Sequence, residues 1–112
     1  KVASKKKITT IFQPHRFSRV HSLKKEFSKS FKFSNRVVLC PIYAAGEKVN
    51  KNFNLTNFGK MISKNSNVNV IIVKDEFNLR NFLKKNLIKD EIIIGMGAGS
   101  VSNWMRNLKH FL

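Results

Sequence analysis

The residues of this chain best equipped for chemistry lie together in Phe12-Gln13-Pro14-His15-Arg16-Phe17-Ser18-Arg19, where two guanidiniums and an imidazole follow a short apolar run. Arg16 and Arg19 are three apart, a spacing that puts both on one side of a helix's opening turn. Backbone N–H groups at such an end favour an anion. The planar guanidinium fork suits a carboxylate or phosphate, a charge-assisted contact of about 1.5–3 kcal/mol. The pair therefore reads as an anion site or as two surface arginines. His15 is open to three roles: an imidazole titrating near neutrality, a donor to the same anion, or a residue satisfied at the junction.

Two further segments carry candidates. Tyr43-Ala44-Ala45-Gly46-Glu47 brings a carboxylate that could accept from an amine or a ribose hydroxyl, or simply be solvated. Gly95-Met96-Gly97-Ala98-Gly99-Ser100 joins an apolar run to a helical one. Ser at position 100 breaks the G-x-G-x-x-G spacing of dinucleotide-binding loops, and the run follows the last strand pattern rather than the first. Its glycines suit a tight turn and close helix packing, with phosphate contact as the alternative. No phosphate loop, nucleophile elbow or glycosidase-like acid–base pair occurs, and no metal-ligand spacing involves His15. Alone, these residues make a binding edge and no catalytic centre.

Alternating patterns must position them. Ile8-Thr9-Thr10-Ile11-Phe12 is a β-branched strand stopped by Pro14. Val20, Leu23, Phe27 and Phe31 then recur at helical spacing, with Ser18 as the expected cap. Arg36-Val37-Val38-Leu39-Cys40 is a second strand, closed by Pro41. Leu55, Phe58 and Ile62 mark a second helix capped by Asn54, and Val68 to Val73 a third strand. Asp75 caps a helix burying Leu79, Phe82, Leu83 and Leu87, with Glu76 and Lys84-Lys85 suiting its dipole. Glu91-Ile92-Ile93-Ile94 is the fourth strand, and a last helix buries Val101, Trp104, Met105 and Leu108. The order βαβαβαβα predicts one α/β domain over 1–112: a Rossmann-like open parallel sheet in a three-layer α/β/α arrangement. The loops Gln13 to Arg19, Pro41 to Glu47, Lys74-Asp75 and Gly95 to Ser100 then share one edge.

At 112 residues the chain suits a single core. Lys and Arg number 22 against 6 Asp and Glu, a formal charge of +16. Such an excess fits a polyanion partner. Its scatter along every segment, mostly as Lys among many Asn, Phe and Ile, fits a compositional origin better, because nucleic-acid surfaces concentrate charge on one face. The densest cluster, Lys5-Lys6-Lys7, reads as a solvated lead-in or a phosphate contact. The lone Cys40 sits in an apolar run and reads as a buried thiol. No apolar run approaches the roughly 20 residues that span a bilayer, so a soluble, cytoplasmic protein is expected.

The motif Phe12 to Arg19, then Tyr43 to Glu47, then Gly97-Ala98-Gly99 entering the last helix, resembles in order and spacing the C-terminal domain of the UDP-N-acetylmuramate–L-alanine ligases, within the Mur ligase family. The likeness runs from about Ile8 onward. It implies a three-domain enzyme in which ATP and Mg2+, held mainly by a central domain, phosphorylate the muramyl carboxylate of UDP-N-acetylmuramate. The amine of L-alanine then attacks the acyl phosphate. It implies that His15, Arg16 and Arg19 bind L-alanine, the arginines holding its carboxylate, with Tyr43, Glu47, Gly97, Ala98 and Gly99 on the substrate or nucleotide edge and no metal ligand in this chain. The UDP-binding and ATP-binding domains lie outside this sequence, as does the upstream part of the C-terminal domain, so a truncated domain without activity of its own is expected. Phe17 stands where many relatives have Tyr. The competing expectation is a small basic α/β module binding RNA or another polyanion without catalysis.

Overall fold

The computed structural model describes residues 7–87, 90–97 and 100–108. Within them β1 (Ile8–Phe12), α1 (Phe17–Ser28), β2 (Arg36–Leu39), α2 (Leu55–Ser66), β3 (Asn69–Ile72), α3 (Glu76–Asn86), β4 (Ile92–Met96) and α4 (Ser100–Leu108) alternate along the chain. The strands pair in parallel in the order β3-β2-β1-β4. The alternating pattern and the Rossmann-like sheet it predicts are thus both present.

Strand side chains alternate between faces, and each face has its own core. Phe12, Val37 and Leu39 pack with Val20 of α1, Phe58 and Ile62 of α2, and Phe31 and Val68 beside them. Ile11, Val38 and Cys40 pack on the opposite face with Val73, with Leu79 and Leu83 of α3, and with Val101 and Leu108 of α4. The result is three layers, helix on sheet on helix. The near-continuous apolar sequence of β2 follows from its place: a central parallel strand is covered on both faces, and all four of its residues are buried. Burial pushes the Cys40 thiol up to about 12, so it stays protonated and inert.

Asn54 and Asp75 cap their helices as expected, accepting from the N–H groups of Asn57 and Asn78. Elsewhere the structure departs from the sequence reading. Ser18 lies inside α1 and does not cap it; Arg16 holds the cap position with no side-chain bond to the helix. Phe31 is buried but follows the end of α1, and Leu23 is exposed. β2 ends at Leu39, although the Cys40 N–H still donates to the Phe12 carbonyl at 2.8 Å. β4 runs on through Gly95-Met96, because β1 pairs with it as far as Phe12 against Met96. Gly95 is needed there by α4: a Cβ would meet Met105 Cγ at 2.8 Å.

Candidate functional site at the carboxyl edge of the sheet

The strand order places β4 beside β1, with the chain leaving β1 toward α1 on one face and leaving β4 toward α4 on the other. Two neighbouring loops that part in this way leave a crevice, the place where open parallel sheets bind ligands. A cavity of about 230 Å³ lies there, lined by Phe12, Gln13, His15, Arg19, Phe27 and Gly97. Its walls combine one guanidinium, one imidazole, one amide and two aromatic rings. A wider hollow of about 410 Å³ beside Ser18, His21 and Glu47 has no arginine in its lining.

The segment carrying His15 is fixed by main-chain pairing beyond the strands. Tyr43 N–H donates to the Pro14 carbonyl at 2.9 Å, and Arg16 N–H donates to the Tyr43 carbonyl at 2.8 Å, forming a parallel bridge between His15 and Tyr43. The Tyr43 ring stacks on the His15 imidazole, with centroids 5.6 Å apart. Tyr43 thus orients His15, which is half-buried. Arg16 turns the chain into α1 with φ +67°, a region that costs a non-glycine residue roughly 1–3 kcal/mol.

That turn separates the two arginines that the sequence spacing groups together. Arg19 lines the crevice and, among the described residues, has no hydrogen-bond or ion-pair partner. Arg16, exposed as Arg19 is, is absent from the crevice lining and lies close enough to Glu47 to favour its ionised form. Glu47 takes the capping role expected of Ser18: its carboxylate accepts from the Ser18 N–H at 3.2 Å and from the Ser18 hydroxyl. The Ser18 hydroxyl bond, opposed by desolvation and aided by backbone N–H groups of α1 and the charge of Arg16, holds its carboxyl below the usual range. The anion position at the start of α1 is therefore filled by the chain's own carboxylate. Phe17, half-buried, packs edge-on against Phe53.

Gly97 completes the crevice. At φ +138° it adopts a backbone that side chains disfavour, and a Cβ there would meet the Gln13 carbonyl oxygen at 2.6 Å. Ala98 and Gly99 lie outside the described residues. Gln13, which the sequence reading leaves without a role, is 3% exposed and forms part of the crevice wall. Its signal was positional: a polar residue directly after an apolar strand and before Pro14. Among the described residues no group of three His, Cys, Asp or Glu side chains could hold a metal, and no helix is long and apolar enough to cross a membrane.

No protein-family model matches the chain. It is 50% identical over 105 residues to a UDP-N-acetylmuramate–L-alanine ligase of Pelagibacter ubique, an overlap covering 94% of this chain and 23% of that relative. A ligase of the same name from Fusobacterium nucleatum is 38% identical over 96 residues, 86% of this chain and 20% of the relative. One from Prochlorococcus marinus is 35% identical over 104 residues, 92% and 21% respectively. The chain thus spans between a fifth and a quarter of the length of these relatives. Over nearly its whole length the chain corresponds to one α/β region of the UDP-N-acetylmuramate–L-alanine ligases.

Proposed function

We propose that this chain is the amino-acid-binding, C-terminal domain of a cytoplasmic, ATP-dependent ligase that joins L-alanine to UDP-N-acetylmuramate in peptidoglycan precursor synthesis. The observation that carries the reading is the crevice between the ends of β1 and β4, where Arg19 faces a small cavity beside His15 with no partner among the described residues. A guanidinium and an imidazole at one end and the rings of Phe12 and Phe27 along the wall suit a small zwitterion: carboxylate on Arg19 and His15, methyl group against the rings. Arg16 is the rim cation for the same carboxylate, with Tyr43, Glu47 and the Gly97-Ala98-Gly99 element on the substrate or nucleotide edge.

In this reading the domain accelerates by orientation. It holds the alanine amine toward the acyl phosphate, turning a bimolecular encounter into an internal step. The ring walls can favour alanine over a neighbour differing by one carbon by only about 1–3 kcal/mol. In this reading ATP and Mg2+ are held mainly by the rest of the ligase, and the chain alone is expected to be inactive. The polyanion-binding alternative gains nothing from the charge layout: exposed Lys24, Lys25, Lys60 and Lys64 lie on one helical layer, Lys84, Lys85 and Arg106 on the other. That is no single stripe.

The test is an ADP-release assay of the full-length ligase. Arg19→Ala is expected to raise the alanine KM by about tenfold to a hundredfold, the loss of a charge-assisted contact, with the UDP-sugar KM unmoved. An alanine KM equal to that of the wild type overturns the assignment.

A further inference from the structure

Gln13 carries no charge, yet it joins four elements. Its backbone N–H donates to the Met96 carbonyl of β4 at 2.9 Å. Its side-chain Nε2 donates to the Pro41 carbonyl just beyond β2 at 3.0 Å, and its Oε1 accepts from the Val101 N–H in the first turn of α4 at 3.1 Å. Gly97 presses on its main chain from the β4 side. The task needs a donor and an acceptor diverging from the tip of one side chain, which the Gln13 amide supplies with its NH2 and carbonyl oxygen. An ionised carboxylate would set two acceptors against Pro41, and a thioether would leave both the carbonyl and the Val101 N–H without a partner. The Val101 bond is buried, so its loss is felt in full.

We propose that Gln13 is a positioning residue for the amino-acid site. It ties the ends of β1, β2 and β4 and the start of α4 into one unit, so that the His15 to Arg19 segment stands at a fixed separation from Gly97 across the crevice. This rests on the ligase reading of the crevice and adds to it a residue that need not touch alanine.

The experiment uses the full-length ligase, with alanine varied at saturating ATP and UDP-sugar. In Gln13→Met, similar in length but unable to make either side-chain bond well, the alanine KM is expected to rise about tenfold or more, because ångström-scale misplacement costs up to about a hundredfold. The UDP-sugar KM stays at its wild-type value. Gln13→Asn, an amide one methylene shorter, is expected to show a smaller rise in the same constant. A folded Gln13→Met with an unchanged alanine KM overturns the proposal, because a merely structural strut would lower Tm or the active fraction and nothing else. Should Gln13→Met fail to fold, the alanine KM of Gln13→Asn decides in the same way. A wild-type enzyme whose ADP release ignores alanine would instead overturn the ligase reading itself, a result distinct from an active wild type with an unmoved variant.

Discussion

The two ends of the sheet use arginine in opposite ways. At the amino-terminal end Arg36 of β2 is enclosed: its guanidinium pairs with Glu91 at 2.8 Å, donates to the Thr9 hydroxyl at 2.7 Å and to the Asn86 carbonyl at 3.1 Å, and lies over the Phe82 ring at 5.0 Å. Thr9 also donates to Glu91. The two charged side chains are 8% and 0% exposed. At the carboxyl end Arg19 faces an open crevice without a partner among the described residues. An arginine whose donors are used inside the protein serves the fold. One held in the first turn of a helix at the sheet's carboxyl end, with its fork unused, is available to a ligand. Charge alone does not separate the two; the count of partners does.

This contrast can be broken by mutation. The largest effect is expected at the enclosed end, where Glu91→Ala leaves a buried, uncompensated guanidinium. About 3–5 kcal/mol of stability should go, read by urea unfolding of the full-length protein. The double replacement Arg36→Met with Glu91→Leu should recover most of that loss, since apolar side chains of similar volume often replace a buried pair at little cost. If the single change is silent, the enclosed end is not the structural one. Gly97→Ala comes next. With its φ of +138° and a 2.6 Å approach to the Gln13 carbonyl, it should cost roughly 1–3 kcal/mol and raise the alanine KM as well, marking the crevice as the place where backbone fit and function meet. A wild-type melting temperature would refute this.

The smallest effect concerns Glu47 and sharpens the picture of the α1 start. Its carboxyl is held below its ordinary value of 4.5, so its contribution to stability is present above that value and is lost as pH falls through the lower, folded one. Glu47→Gln should therefore lower stability slightly at neutral pH and flatten its dependence on pH below about 4.5, the ordinary carboxylate value. Parallel acid limbs for wild type and variant would show that the carboxylate does not hold the helix end.

What was legible in the sequence was local. β1 runs over the five residues its β-branched pattern marks, and the Asn54 and Asp75 caps act on N–H groups three positions away. Contacts between distant segments were not legible. The carboxylate that caps α1 comes from 29 residues further on, and the partner of Arg36 from 55. β4 extends across Gly95 because pairing with β1 outweighs glycine's poor strand preference. The two arginines share a helical spacing on paper, but Arg16 precedes the helix with a positive φ that no neighbouring residue type announces. The strand-to-helix junction, marked by the apolar run and Pro14, singled out His15, Arg16 and Arg19 together; that only His15 and Arg19 of these line the crevice was not legible.

The β1–β4 seam also sets an order of events. β1 finds β2 within the same stretch of chain, Thr9 meeting Arg36, whereas its other neighbour arrives from the far end of the sequence, Ile8 meeting Ile92. Long loops close more slowly and at greater entropic cost than short ones. During synthesis the β1-β2-β3 part is exposed first, arginine motif included, while the opposite wall of the crevice is still to be made. Ligand recognition is thus expected only once Ile92 to Met96 has joined the sheet, and a chain stopped before Ile92 would carry Arg19 with no crevice for it to serve.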